Sequence, residues 1–122
     1  MSLIHTTKPN EMTRLNIKPL SANEMWQGKR FRSPKYKSYS TAVLYSLPKI
    51  AIPEGKLEIH YKFGFSSHGS DLDNPTKGIQ DLLSQKYGFN DNRIWRITID
   101  KEIVPKGQEY IEFSIKSYDT QL

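Results

Sequence analysis

Cysteine is absent from this 122-residue sequence, and so is any long apolar segment. The first absence excludes disulfide bridges, thiolate zinc sites and cysteine nucleophiles, and it is typical of a reducing compartment. The second excludes a membrane-spanning helix, which needs about 20 consecutive apolar residues. Residues 1–12 also lack the apolar core of a secretory signal. We therefore expect a cytoplasmic protein that has no membrane partner.

Several catalytic signatures are missing as well. The sequence has no glycine-rich phosphate loop, no G-x-S-x-G motif and no Ser/His/Asp signature, and its three histidines lack the spacing of metal ligands. We therefore expect no nucleotide cofactor and no serine-hydrolase chemistry. With 36% hydrophobic residues, the chain can form one small core but not two. We expect a single domain over residues 1–122, with residues 1–11 as a flexible N-terminus.

Positive charge is concentrated in one part of the chain. The sequence has 18 basic and 13 acidic residues, yet no acidic residue lies between Trp26 and Ile50. This basic segment suggests a polyanionic partner such as DNA, because neutralising phosphates releases condensed counterions. A solvated face on a basic protein explains the same run equally well. The basic residues of the segment are Lys29, Arg30, Arg32, Lys35, Lys37 and Lys49.

The order of predicted elements indicates an α+β fold. The predicted elements are a strand over 12–20, a loop over 21–33, a helix from Ser33-Pro34 to Pro48, a strand over 56–66, a helix from about 75 to Gly88, and strands over 93–103 and 110–116. The last two strands are expected to pair as an antiparallel hairpin. We therefore predict one small mixed sheet with two helices packed on it.

Three carboxylates and one lysine are the candidate catalytic residues. Asp71 and Asp73 are two positions apart in an extended segment, so both side chains can point the same way. Asp91 follows the second predicted helix, where the ends of the elements can converge. Carboxylates held close together repel unless a cation joins them, and oxygen ligands suit Mg²⁺ or Mn²⁺. Lys77, one helical turn beyond Asp73, could then stabilise the negative charge that develops in phosphoryl transfer.

The same residues also have an ordinary structural explanation. Asp73-Asn74-Pro75 is a typical helix-capping sequence. Asp73 and Lys77 have the i,i+4 spacing of a common ion pair, which contributes about 0.3 kcal/mol. The spacing alone leaves both explanations open.

Taken together, the motifs resemble those of the RusA family of Holliday junction resolvases. The family pattern is D-x-D-N, a lysine three residues later, a helix, and then a glycine followed by an acidic pair and an aliphatic residue. The segment Asn23–Phe31 is similar to the family's N-terminal asparagine and basic-aromatic segment. The likeness extends over about residues 15–117. The segments that carry the likeness are Ser70-Asp71-Leu72-Asp73-Asn74, Lys77, Asp81-Leu82, Tyr87-Gly88-Phe89-Asn90-Asp91 and Ile94.

The resemblance implies a structure-selective endodeoxyribonuclease. It implies that Asp71, Asp73 and Asp91 bind Mg²⁺, with Mn²⁺ as the alternative ion, and that Lys77 assists catalysis. It also implies a homodimer whose two sites nick opposed strands of a four-way DNA junction symmetrically. The expected DNA-binding residues are Asn23, Lys29, Arg30, Arg32, Lys35 and Lys37.

Two positions depart from the family pattern. Asn90 stands where the family commonly has an acidic residue, so we expect a lower metal affinity. Ser70 stands where a basic residue often precedes D-x-D-N, so Lys29, Arg30 or Arg32 would have to supply that phosphate contact.

Two other classes of protein remain open. One is a DNA-binding module without catalysis, in which the carboxylates serve as caps and ion pairs. The other is an interaction protein in which Asp71 and Asp73 bind a structural cation. No predicted strand displays an exposed apolar edge, and the sequence therefore does not reveal the dimer surface. We expect the pairing to use the sheet or the first helix.

Overall fold

The computed structural model describes residues 12–28 and 31–118. Within them the chain has the predicted α+β fold, with a mixed four-stranded sheet, a small two-stranded sheet and two helices. The expected flexible segment 1–11 lies outside the described residues. The strands are β1 Thr13–Leu15, β2 Trp26–Gln27, β3 Phe31–Arg32, β4 Leu57–Phe65, β5 Ile94–Ile103 and β6 Tyr110–Ser117, and the helices are α1 Pro34–Ser46 and α2 Thr76–Tyr87.

The four-stranded sheet has the order β1-β6-β4-β5. β6 is antiparallel to β4, and β5 is parallel to β4 on its other side. The predicted antiparallel hairpin of the last two strands is therefore wrong, because β5 and β6 both pair with β4 and not with each other. The physical reason is that α2 crosses over between β4 and β5, which returns β5 in the same direction as β4. The chain then passes to the far side of β4 before it forms β6.

The start of α1 follows the sequence prediction closely. Ser33 is the residue before the helix, and its hydroxyl oxygen accepts a hydrogen bond from the Tyr36 backbone N–H at 3.1 Å. Pro34 occupies the first helical position, where its missing N–H costs nothing. The preceding segment differs from the predicted loop, because it contains a 3-10 turn at Ala22–Glu24 and the hairpin β2/β3.

α2 presents one apolar and one polar face, as its sequence predicts. Ile79, Leu82 and Leu83 are buried, whereas Lys77 is exposed and Asp81 is half-buried. The helix ends at Gly88, whose φ of 74° lies in the left-handed region that glycine adopts without strain. The polar face of α2 is thus directed away from the core.

The core lies between the two helices and one face of the sheet. Alternate residues of β4 point into it and are buried, namely Leu57, Ile59, Tyr61, Phe63 and Phe65. By contrast, no side chain of β5 is fully buried. Neither described helix is long and apolar enough to cross a membrane.

Candidate functional site

Lys77 joins two carboxylates on the polar side of α2. Its Nζ atom lies 3.1 Å from Oδ1 of Asp81, one helical turn further on, and 3.8 Å from Oδ2 of Asp91. Asp91 begins the 3-10 turn Asp91–Arg93 that follows α2. The hydrogen bond to Asp81 raises the pKa of Lys77 above its usual value, and the charge of Asp91 adds to this effect. The ammonium group therefore stays protonated at neutral pH.

This geometry brings together two of the four predicted catalytic residues, Lys77 and Asp91. The i,i+4 ion pair between Asp73 and Lys77 is not formed, because within the described ranges the salt bridges of Lys77 go to Asp81 and Asp91. In the sequence, Asp81 was named among the residues that carry the family resemblance. Its contact with Lys77 gives it a place in the candidate site.

Arg32 lines the same surface groove as Asp81 and Asp91. Its guanidinium carbon lies 4.2 Å from the ring centroid of Trp26 and 4.4 Å from that of Tyr36, so the group is stacked between two aromatic rings. The Nη1 atom is buried and has no hydrogen-bond partner among the residues that the structure describes. A buried donor that lacks a partner is costly. The guanidinium group carries further N–H donors, which can bind an anion in the groove that Arg32 lines.

The two aromatic residues around Arg32 belong to the candidate site, although the sequence alone did not give them a place in it. Trp26 lies six positions before Arg32 on β2, and Tyr36 lies four positions after it on α1. Trp26 pairs directly with Arg32 across the β2/β3 hairpin. The available signal was the presence of aromatic residues within a segment of basic charge.

Asp71 and Asp73 lie in the loop between β4 and α2, and both are exposed. Asp71 lines a cavity of about 300 Å³ together with Lys18, Glu24 and Glu109. None of the groups that line the groove of Arg32 and Asp91 is shared with this cavity. Asp71 and Asp91 therefore line two different concave surfaces, and neither Asp73 nor Lys77 lines either of them.

The capping explanation for Asp73-Asn74-Pro75 is wrong in one respect. The residue that precedes α2 is Pro75, and no side chain caps the helix there. Asn74 instead accepts a hydrogen bond from the backbone N–H of Ala22 at 2.8 Å through its Oδ1 atom. The asparagine of the D-x-D-N motif thus connects the acidic loop to the 3-10 turn that precedes the basic hairpin.

The donor chemistry of Asp71, Asp73 and Asp91 suits a hard divalent cation, because all three offer exposed carboxylate oxygens. Within residues 12–28 and 31–118, no three His, Cys, Asp or Glu side chains are gathered closely enough to hold a metal ion. The Mg²⁺ site therefore stays a prediction.

The other predicted DNA-binding residues lie around the start of α1. Asn23 is exposed in the turn Ala22–Glu24, and Lys35 and Lys37 are exposed in the first turn of the helix. Lys35 is 3.7 Å from Glu24 in a solvent-exposed ion pair. Lys29 and Arg30 lie outside the described residues.

Asn90, which stands where the family pattern has an acidic residue, caps the turn that follows it. Its Oδ1 atom accepts a hydrogen bond from the backbone N–H of Asn92 at 2.9 Å, which caps the turn that carries Asp91. An asparagine is among the best residues for such a cap. It holds the backbone of Asp91 without adding a negative charge to the groove.

The sequence matches no protein-family model, and no curated protein is significantly similar to it. The resemblance to the RusA family thus rests on the motif residues themselves.

Proposed function

We propose that this protein is a Mg²⁺-dependent endodeoxyribonuclease that acts as a homodimer and cuts four-way DNA junctions by paired symmetric nicks. The observation that carries the proposal is a groove lined by the stacked Arg32 and by Asp81 and Asp91, the two carboxylates that contact Lys77. A guanidinium group in the groove, with an ammonium group held beside it by two carboxylates, fits a phosphodiester and its hydrolysis better than it fits a neutral ligand.

Each of these side chains has a distinct task in the proposed reaction. Arg32 donates hydrogen bonds to a non-bridging phosphate oxygen, which places the phosphodiester in the groove. Lys77, held in its charged form by Asp81 and Asp91, stabilises the negative charge that develops on the phosphate. Asp71, Asp73 and Asp91 are the residues that would hold Mg²⁺, and the acidic loop and the turn that carries Asp91 would have to come closer together for all three to bind one ion. The bound ion would lower the pKa of a water molecule and polarise the phosphoryl group.

The arms of the junction would lie against the basic segment. Lys35 and Lys37 contribute exposed positive charge beside Arg32, and such side chains contact the phosphate backbone without distinguishing bases. Selection of a four-way junction then depends on the shape of the DNA. A homodimer presents two such surfaces related by a two-fold axis, which matches a junction of the same symmetry.

The test compares cleavage and binding in one variant. Wild type and Asp73→Asn are incubated with a labelled four-way junction or a linear duplex of the same arms, each with Mg²⁺ or with a chelator. We expect paired nicks only for wild type, only on the junction and only with Mg²⁺. Asp73→Asn should bind the junction as tightly as wild type or more tightly. Glu112→Gln, which removes a carboxylate on the opposite sheet face, is the matched control and should cut normally.

The other outcomes identify the other classes of protein. Junction binding without cutting under any metal would indicate a DNA-binding module, unless Asn90→Asp restores cleavage. A melting temperature that rises with Mg²⁺, without DNA affinity, would indicate a structural cation site. Equal loss of binding and cutting in a folded Asp73→Asn protein contradicts the role assigned to this carboxylate.

A further inference from the structure

β5 is a long edge strand with exposed apolar side chains. It has ten residues, and within the described part of the chain it pairs only with β4. Trp95 is 59% exposed, Ile97 40% and Ile103 36%. The opposite edge strand, β1, has only three residues. The expectation that no strand displays an exposed apolar edge is thus wrong, because β5 was assigned a partner, β6, that it does not have.

An unpaired strand of this length is a template for pairing with another chain. A two-fold interface requires the strand to be complementary to itself. If residue i of one copy faces residue j of the other, then residue j of the first copy also faces residue i of the second. β5 meets this condition when two copies run antiparallel with the axis at Thr98. Ile97 then faces Ile99 of the partner subunit, and Arg96 faces the partner's Asp100.

Arg96 and Asp100 are exposed and are already held in place by neighbouring side chains. Arg96 and Asp100 lie on the sheet face opposite the helices, and their side chains are 57% and 58% exposed. Each is already positioned by a neighbour on β4, since Arg96 lies 3.4 Å from Glu58 and Asp100 lies 2.7 Å from His60. Their side chains can therefore meet opposite charge across a two-fold axis at little cost in ordering.

The alternative centre is less favourable. Both registers set an apolar side chain against the partner's Lys101, namely Trp95 with the axis at Thr98 and Ile97 with the axis at Ile99. The face of an aromatic ring attracts an ammonium group, whereas an isoleucine side chain does not. Lys101 also has a different partner, because its Nζ donates to the Ser70 carbonyl at 2.9 Å. Ser70 immediately precedes Asp71, so β5 contacts the acidic loop directly.

We propose that a second copy of this chain docks antiparallel along β5, with the two-fold axis at Thr98, to form a continuous eight-stranded sheet. This inference rests on the homodimer of the proposed function but not on the cleavage reaction. It assigns the dimer surface to the edge strand, with Arg96 and Asp100 as the charged pair and Ile97 and Ile99 as the apolar pair.

The test uses two charge reversals that compensate each other. In Arg96→Asp, β5 carries two acidic side chains at positions 96 and 100, and in Asp100→Arg it carries two basic ones. Either variant alone sets like charges against each other twice across the axis. An equimolar mixture sets opposite charges against each other twice. The oligomeric state is measured by sedimentation velocity, with circular dichroism to verify the fold.

We expect wild type to dimerise, each single variant to dimerise at least tenfold more weakly, and the mixture to recover a dimer of near wild-type affinity. Arg14→Asp is the matched control, because it removes an equivalent ion pair, with Glu112, at the opposite edge of the sheet. It should dimerise normally. Weakened variants whose mixture does not recover would overturn the register at Thr98. A wild type that cuts junctions as a monomer would overturn both the interface and the homodimer, and would leave only the Mg²⁺-dependent cleavage of the proposed function standing.

A second variant tests the axis without altering charge. The chain has no cysteine, so Thr98→Cys introduces a single thiol at the position that faces its own copy. Side chains directly opposite in an antiparallel pair are about 4.5–5.5 Å apart at Cβ, close to the spacing of a disulfide. Mild oxidation should convert Thr98→Cys, but not the exposed α1 variant Thr41→Cys, to a covalent dimer. Failure of Thr98→Cys to cross-link in a protein that sediments as a dimer would place the interface elsewhere.

Discussion

Gly64 allows the ring of Tyr110 to lie across the central strand, and an alanine there should destabilise the protein. Gly64 pairs with Tyr110 on β6 and with Glu102 on β5. A Cβ atom at position 64 would lie 2.4 Å from both Cδ2 and Cε2 of the Tyr110 ring. The ring is buried, and its hydroxyl donates to Oε1 of Glu102 at 2.5 Å. Neither the ring nor the hydroxyl can shift without breaking this link between β6 and β5.

The expected change in the free energy of unfolding is the difference between two effects. Overpacking of this kind costs about 1–3 kcal/mol. Replacing a glycine within a strand by alanine stabilises the protein by about 0.5–1 kcal/mol, because alanine loses less backbone freedom on folding. We therefore expect Gly64→Ala to lower the free energy of unfolding by about 1–2 kcal/mol, which corresponds to a fall in Tm of roughly 4–8 °C.

The assay is urea unfolding followed by far-UV circular dichroism, in a double-mutant cycle with Tyr110→Ala. Without the ring, Gly64→Ala should become stabilising by about 0.5 kcal/mol, so the sign of the effect reverses. Tyr110→Phe is the control, because it retains the ring and removes only the hydroxyl. Equal destabilisation by Gly64→Ala in all three backgrounds would refute the reasoning, since the cost would then have a source other than the ring.

Two further predictions concern Arg32 and Tyr87. Arg32→Lys retains the charge but loses the planar stacking between Trp26 and Tyr36. The Kd for a four-way junction in a gel-shift titration should therefore rise by about tenfold, while the fold stays unchanged. Lys49→Arg is the control, and an unchanged Kd for Arg32→Lys would contradict the assigned contact. Burial raises the pKa of Tyr87 to about 12. The stability this gives is fully present below the ordinary pKa near 10 and is lost as the pH rises through the folded value. The free energy of unfolding of wild type should therefore fall between pH 10 and 12, and that of Tyr87→Phe should fall less; identical slopes would show that Tyr87 does not contribute.

The parts of the fold that depend on neighbouring residues follow from the sequence. Ser33-Pro34 places the start of α1 because the cap and the fixed φ of proline act within one turn. Gly88 places the end of α2 for the same kind of reason. The pairing of β5 and β6 does not follow, because it depends on which strand each one meets after the crossover of α2. Local signals do not contain that information.

The candidate site divides in the same way. Lys77 and Asp91 could be proposed together from the sequence, because Lys77 lies in the first turn of α2 and Asp91 follows the end of that helix. The sequence could not predict that Lys77 pairs with Asp81 and not with Asp73, because both are four residues from Lys77. Which of the two carboxylates lies near the ammonium group depends on the path of the chain before α2. The stacking of Arg32 depends on a hairpin and a helix that meet only in the folded protein.

In the proposed nuclease, the stacking of the Arg32 guanidinium would also affect how quickly bound DNA dissociates. A free arginine side chain samples many rotamers, and immobilising such a side chain on binding costs about 0.5–1.5 kcal/mol. Between two rings, Arg32 has already lost most of that freedom during folding. A contact with phosphate therefore retains more of its interaction energy, and affinity gained this way is expressed mainly as slower dissociation. An enzyme that must hold a junction while both strands are cut would benefit from that longer residence time.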